Sequence, residues 1–175
     1  MAKKLDGKTV LMIIAPDGFN DTEFFDSKEV FENLGADVVV ASKGTDEAIG
    51  SKGGYAEIDS DYGSLDADDF NAIVFVGGPG TTSFLNDPKA HRLARDAVEY
   101  EKVLGAICMA PSILANAGLL EEKRATSTSS EKKNLENHGA KFTGKPVECY
   151  GKIVTATGPP ATKDFAKKIA ELMQK

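Results

Sequence analysis

The sequence predicts an α/β fold: a doubly wound, mostly parallel sheet with helices on both faces, stacked as a three-layer sandwich. Three observations lead there. Residues 9–15 (TVLMIIA), 72–76 (AIVFV) and 103–107 (VLGAI) are unbroken apolar runs, as a strand covered on both faces requires, where a half-exposed strand would alternate. Each run ends at a turn-forming or small residue and is followed downstream by apolar positions at helical spacing. Strands alternating with helices build right-handed βαβ units and hence a parallel sheet.

In chain order, residues 9–15 give the first strand, broken by Pro16, Asp17 and Gly18. From Asp21 to Leu34 the residues Phe24, Phe25, Val30, Phe31 and Leu34 share one helical face, and Gly35 supplies a C-terminal cap. Residues 37–41 form the second strand. Across residues 42–70 the pattern weakens into Gly, Ser and Asp, with one short outlying strand expected at 55–58. After the run at 72–76, Gly77-Gly78-Pro79-Gly80 permits a tight turn with exposed backbone. Asp87 is a good N-cap and Pro88 suits the first position of a helix that reaches Glu101. Beyond the run at 103–107 comes Cys108, then a helix with Ile113, Leu114 and Ala117 on one face. Residues 125–127 are expected as a strand, 130–137 as a helix, 149–157 as a hairpin turning at Gly151-Lys152, and 162–173 as a closing amphipathic helix.

A chain of 175 residues suits a single domain spanning 1–175, burying roughly two-thirds of its unfolded surface without a disulfide or metal. Apolar residues at 41% and charged residues at 27% exclude a disordered chain. A formal charge of −6 with no Lys/Arg cluster argues against binding a phosphate backbone, so no nucleic-acid partner is expected. No run of about 20 apolar residues is present to span a bilayer. The opening MAKKLDGK carries positive charge, but the apolar run after it is short and no small-residue cleavage site follows. A cytoplasmic protein is expected, with Cys108 and Cys149 as thiols.

In a doubly wound sheet, ligands bind beyond the carboxyl ends of the strands. Three segments should meet there: residues 16–23, residues 77–80, and Cys108. A thiol where a strand turns into a helix lies in the field of the helix N-terminus, which is expected to lower its pKa. The Met109 N–H would then form half of an oxyanion hole, and Gly77 or Gly78 the other half. Residue spacing alone reads Cys108 equally as a small buried thiol and Glu23 as a carboxylate favoured by the helix dipole. Asp17 and Asp21 read as turn and cap residues, Cys149 as structural. His91 and His138 read as structural too, since two histidines without a clustered carboxylate or thiol make no metal site. Gly77–Gly80 lacks the Lys-Ser/Thr ending of a phosphate-binding loop and is not a dinucleotide pattern.

The stretches GFNDTEFF, IVFVGGPG, GAICMAPSILANAGLL and GKIVTATGPPAT, in this order and spread over nearly the whole chain, resemble the PfpI intracellular-protease family. The likeness extends to the branch that contains the Parkinson's-associated deglycase, within the class I glutamine amidotransferase-like superfamily. It implies a flavodoxin-like sandwich with Cys108 as the elbow nucleophile. Glu23 becomes the glutamate whose protonated carboxyl donates to that sulfur, and Gly77 and Gly78 become the oxyanion-hole glycines. The implied activity is a glyoxalase- or deglycase-type attack on reactive carbonyls such as methylglyoxal, or on their adducts, with no cofactor. The alternative is a stress-response protein whose Cys108 is oxidised without turnover. Protease-type members place His after the cysteine and then Gly, whereas this chain has Met109 and Ala110; Thr128, beside Ser127, stands where the deglycase branch brings a histidine. Peptide hydrolysis is therefore the weakest of the implied activities. The resemblance further implies a homodimer or larger assembly, and Phe19, Phe24 and Phe25 are its candidate contacts.

Overall fold

The computed structural model describes residues 3–175. Its strands are β1 (Thr9–Ile13), β2 (Asp17–Phe19), β3 (Asp37–Ser42), β4 (Glu47–Gly50), β5 (Tyr55–Glu57), β6 (Ser60–Asp61), β7 (Ala72–Phe75), β8 (Val103–Ile107), β9 (Arg124–Ala125), β10 (Lys141–Phe142), β11 (Val147–Tyr150) and β12 (Ile153–Ala156). The helices are α1 (Asp21–Asn33), α2 (Pro88–Glu99), α3 (Pro111–Asn116), α4 (Lys132–Asn137) and α5 (Thr162–Met173). Seven strands form the main sheet in the order β11-β12-β8-β7-β1-β3-β6, parallel throughout except for the β11–β12 hairpin.

The unbroken apolar runs become the sheet's centre because each is buried on both faces: Val10 to Ile13, Ala72 to Phe75, and Leu104, Ala106 and Ile107 have essentially no exposure. Helices α1 and α5 pack together on one side of the sheet, and α2 packs with α3 on the other. At Gly105 a Cβ would lie 2.6 Å from Ile169 Cδ1 and 3.0 Å from Phe165 Cζ, so the missing side chain is what lets α5 sit down on β8. The chain builds outward from β1 to β3 on one side, then returns through β7 and β8 on the other. Strand order therefore reverses at β1, where a crevice opens between neighbouring carboxyl ends. The register puts Ile13 beside Phe75 and Phe75 beside Ala106, so the three chain exits stand in a row.

Several expectations change in detail. The first strand stops pairing as a ladder at Ile13, although Ile14 and Ala15 stay buried and the Ile14 N–H still donates to the Ala41 carbonyl at 3.0 Å. The weakly patterned stretch holds β4 as well as β5, and β2 joins them in a separate three-stranded sheet. The residues expected as a strand at 125–127 pair only through Ala125, with β10 in a two-stranded side sheet. The helix after Cys108 starts only at Pro111 and has six residues. Phe19 and Phe24 are core residues with 0% and 2% exposure, locked edge-to-face at 5.3 Å, which removes both as assembly contacts; Phe25 alone reaches solvent. No helix among the described residues is long and apolar enough to cross a membrane.

Candidate active site

Cys108 follows β8 directly with φ 64, a left-handed conformation that costs a residue with a Cβ about 1–2 kcal/mol. The strain is held by backbone bonds on both sides. Its N–H donates to Ala156 of β12 at 2.9 Å, its carbonyl accepts from the Thr128 N–H at 2.9 Å, and the Ala110 N–H closes the turn on Ile107 at 3.1 Å. The chain thus leaves the sheet sharply and holds the half-buried thiol over the crevice.

Glu23 arrives from the first turn of α1. Asn20 caps that helix, its side-chain oxygen accepting from the Glu23 N–H at 2.9 Å. In an ordinary capping box the glutamate would reach back to the N-cap's own N–H. Here both groups turn to Gly77 instead: the Asn20 N–H donates to the Gly77 carbonyl at 2.8 Å, and the Gly77 N–H donates to Glu23 Oε1 at 2.9 Å. Gly78 has φ 117, and a Cβ there would strike Gly18 and Asn20. These glycines are small because two loops cross through the space their side chains would fill. A Cβ on Gly77 would likewise fall 2.6 Å from Cys108 Cβ and 2.7 Å from Glu23 Oε1, so Gly77 lies wedged between the two side chains.

The electrostatics follow from this packing. Glu23 is fully buried, and burial pushes its carboxyl up to about 7 against the opposing pull of the Gly77 N–H and the Cys108 contact. Its second oxygen, Oε2, finds no donor. A proton on the carboxyl removes the buried charge. Burial, followed by the Glu23 charge, pushes the Cys108 thiol up to about 11, while the Met109 and Gly78 N–H groups aimed at the sulfur pull it down. The expectation of a thiol acidified by a helix N-terminus is thereby corrected. Helix α3 begins three residues later and is too short to project much field, and burial together with the acid beside the thiol outweighs it. The pair is a coupled unit that keeps a proton through neutral pH.

The structure brings Cys108, Glu23, Gly77, Gly78 and Met109 together as the sequence suggested, with one reassignment. The Gly77 N–H is committed to Glu23, so it is not free to meet an oxyanion; Gly78 and Met109 hold the donors that face the sulfur. Asn20 and the Thr128 backbone also belong to the site, and of the two only Asn20 has a sequence signal, since the spacing Asn20-x-x-Glu23 is a capping signature. Neither histidine approaches: His91 Nε2 pairs with the Leu85 carbonyl at 2.8 Å, and His138 Nδ1 with the Asn134 carbonyl at 2.9 Å. Asp21 spends its carboxylate on the Lys52 and Gly54 N–H groups. Among the described residues no cluster of three potential metal ligands forms.

Fold and site together define a flavodoxin-like α/β protein with a cysteine on a strained strand exit, paired to a buried glutamate. Residues 8–172 match the DJ-1/PfpI family, and the chain belongs to it. It is 34% identical to an uncharacterized protein of Methanocaldococcus jannaschii, over 95% of this chain and 82% of that one. Identity is 27% to a deglycase of Thermococcus kodakarensis, over 94% of this chain and 99% of the relative. A glutathione-independent glyoxalase of Caenorhabditis elegans is 26% identical over 95% of this chain and 89% of its own. Among solved structures, a ThiJ/PfpI domain protein from Brachyspira murdochii superposes with a TM-score of 0.92 at 34% identity, covering 95% of this chain and 98% of that one.

Proposed function

We propose that this protein is a cysteine-dependent enzyme acting on small reactive carbonyl compounds or their adducts, with Cys108 as nucleophile and Glu23 as the proton carrier. The observation that carries this reading is the arrangement around the sulfur: an ionisable carboxyl on one side and the Met109 and Gly78 N–H groups on the other. Above pH 7 the Glu23 carboxylate accepts the thiol proton as the sulfur bonds to the aldehyde carbon. The carbonyl π electrons move onto oxygen, the two N–H groups meet the developing alkoxide, and Glu23 returns the proton to it. The product is a neutral hemithioacetal, with atoms and charge balanced.

An aldehyde suits this site better than an amide. Addition to an aldehyde expels nothing, whereas amide cleavage needs an acid for the leaving amine, and no histidine stands by to serve. The deglycase and glyoxalase among the relatives favour the same chemistry. A second reading, oxidation of Cys108 without turnover, is favoured by Met109 and Thr128, which stand at the two positions where the family resemblance implies histidine. One assay separates the two: methylglyoxal consumption by the native chain and by Cys108→Ala. Consumption that disappears with the thiol supports the enzyme; equal consumption by both proteins refutes it. We further propose that the chain self-associates, which light scattering at micromolar concentration tests; a monomer alone would contradict it.

A further inference from the structure

We propose that the opposite end of the sheet holds a second binding site, for a small organic anion with an aromatic body, in the cavity framed by Lys102, Lys123, Lys152 and Tyr150. The cavity measures about 310 Å³, within the size of pockets that bind small molecules. It lies at the amino ends of β8 and β12, with Val98 and Ile153 as its apolar floor and Gly151 leaving the rim open. Cys108 lies past the other end of β8, so five residues of strand, roughly 16 Å, separate the two sites.

Charge picks the ligand. The chain carries −6 overall, yet three lysines line this cavity against one acidic residue, Glu101. Two of the lysines are held in place: Lys152 Nζ donates to the Glu101 carbonyl at 2.9 Å, and Lys102 Nζ lies 3.4 Å from Asp68 Oδ1. Lys123 has no ion-pair partner among the described residues and is the cation left free for a ligand. The aromatic wall is fixed too. Arg124 sits 5.1 Å from the Tyr150 ring centroid and is anchored 3.4 Å from the nearly buried Glu148 carboxylate. An aryl group would lie between Tyr150 and the Val98–Ile153 floor while its phosphate or carboxylate met Lys123. The acids Asp66, Asp68, Asp96 and Glu99 gather around Tyr100 instead, and they disfavour a large polyanion across this end.

Phenyl phosphate titrated into the isotopically labelled full chain, followed by amide NMR, tests the proposal. Saturable shifts are expected at Tyr150, Lys152 and Ile153. Phenol and inorganic phosphate, each lacking one half of the recognition, should bind about tenfold or more weakly than phenyl phosphate. Lys123→Glu and, separately, Tyr150→Ser should each weaken phenyl phosphate by about tenfold while circular dichroism shows an unchanged fold. Cys108→Ala should leave binding intact. Absence of saturation at about 10 mM, equal binding of phenol or inorganic phosphate, insensitivity to both rim variants, or loss with Cys108→Ala would each overturn the assignment.

Discussion

Cys108 and Cys149 are both half-buried thiols, and burial raises the pKa of each, yet their surroundings differ in kind. Cys149 sits on the edge strand β11, its sulfur donating to the Gly151 carbonyl at 3.4 Å, with only the mixed charges of Lys168, Glu148, Glu171 and Lys175 around it. Cys108 is held in a left-handed conformation with two N–H groups on its sulfur and a carboxyl whose pKa is near 7 beside it. A low thiol pKa is not what separates them. The difference is the ionisable carboxyl beside Cys108, which in the function proposed above makes thiolate by internal transfer instead of by loss of a proton to water.

The comparison breaks most visibly by deleting each thiol in turn. Cys108→Ala should lower carbonyl turnover by roughly 10³-fold or more, and Cys149→Ala should leave it unchanged; steady-state kinetics on methylglyoxal reads both. Next comes the acceptor. Glu23→Gln keeps an oxygen for the Gly77 N–H but cannot carry a proton, so turnover should fall by about 10²-fold. The ascending limb near pH 7 in the native pH–rate profile should vanish with it.

The same substitution has an opposite effect on stability. Because the folded protein raises Glu23 from 4.5 to about 7, it holds a proton that the unfolded chain has released. Stability from this group is therefore present below about pH 4.5 and is lost as pH rises to 7. The shift corresponds to roughly 3 kcal/mol at most. Glu23→Gln should be the more stable protein at pH 8 by roughly 1–3 kcal/mol in chemical denaturation, with the gap closing in acid. Gly78→Ala, which forces a Cβ into Gly18 and Asn20 at positive φ, should cost about 2–4 kcal/mol in the same measurement. Smallest is Glu101→Gly. Glu101 follows the C-cap Tyr100 of α2 at φ 58, where glycine is the usual occupant, so the change should stabilise by about 1 kcal/mol in thermal unfolding.

What the sequence revealed follows the same division. The central strands were legible because burial on both faces demands unbroken apolar runs, and the Asp87-Pro88 start of α2 and the Gly151 hairpin because their backbone demands are local. Strand β2 was not: Asp17-Gly18-Phe19 has no strand pattern, and its pairing with β4 is decided by where β1 delivers the chain. The turn at Cys108 could be read from a strand pattern giving way to a helical one. Its electrostatics could not, since the acid that governs the thiol lies 85 positions earlier and meets it only through the crossing at Gly77 and Gly78. Asn20 hid in plain view as an ordinary cap, because its service to Gly77 depends on a loop far away in sequence.

The central claim is that Cys108 and Glu23 titrate as one unit, and the pH dependence of Cys108 alkylation in a Cys149→Ala background tests it most directly. With Glu23 present, the alkylation rate should rise in two steps, one near pH 7 as the shared proton becomes mobile and one near 11 as the last proton leaves. With Glu23→Gln, a single step should remain, shifted below 11 because the like charge beside the thiolate is gone. A single step at the same pH in both proteins would contradict the account and leave Glu23 and Cys108 as neighbours that share no proton.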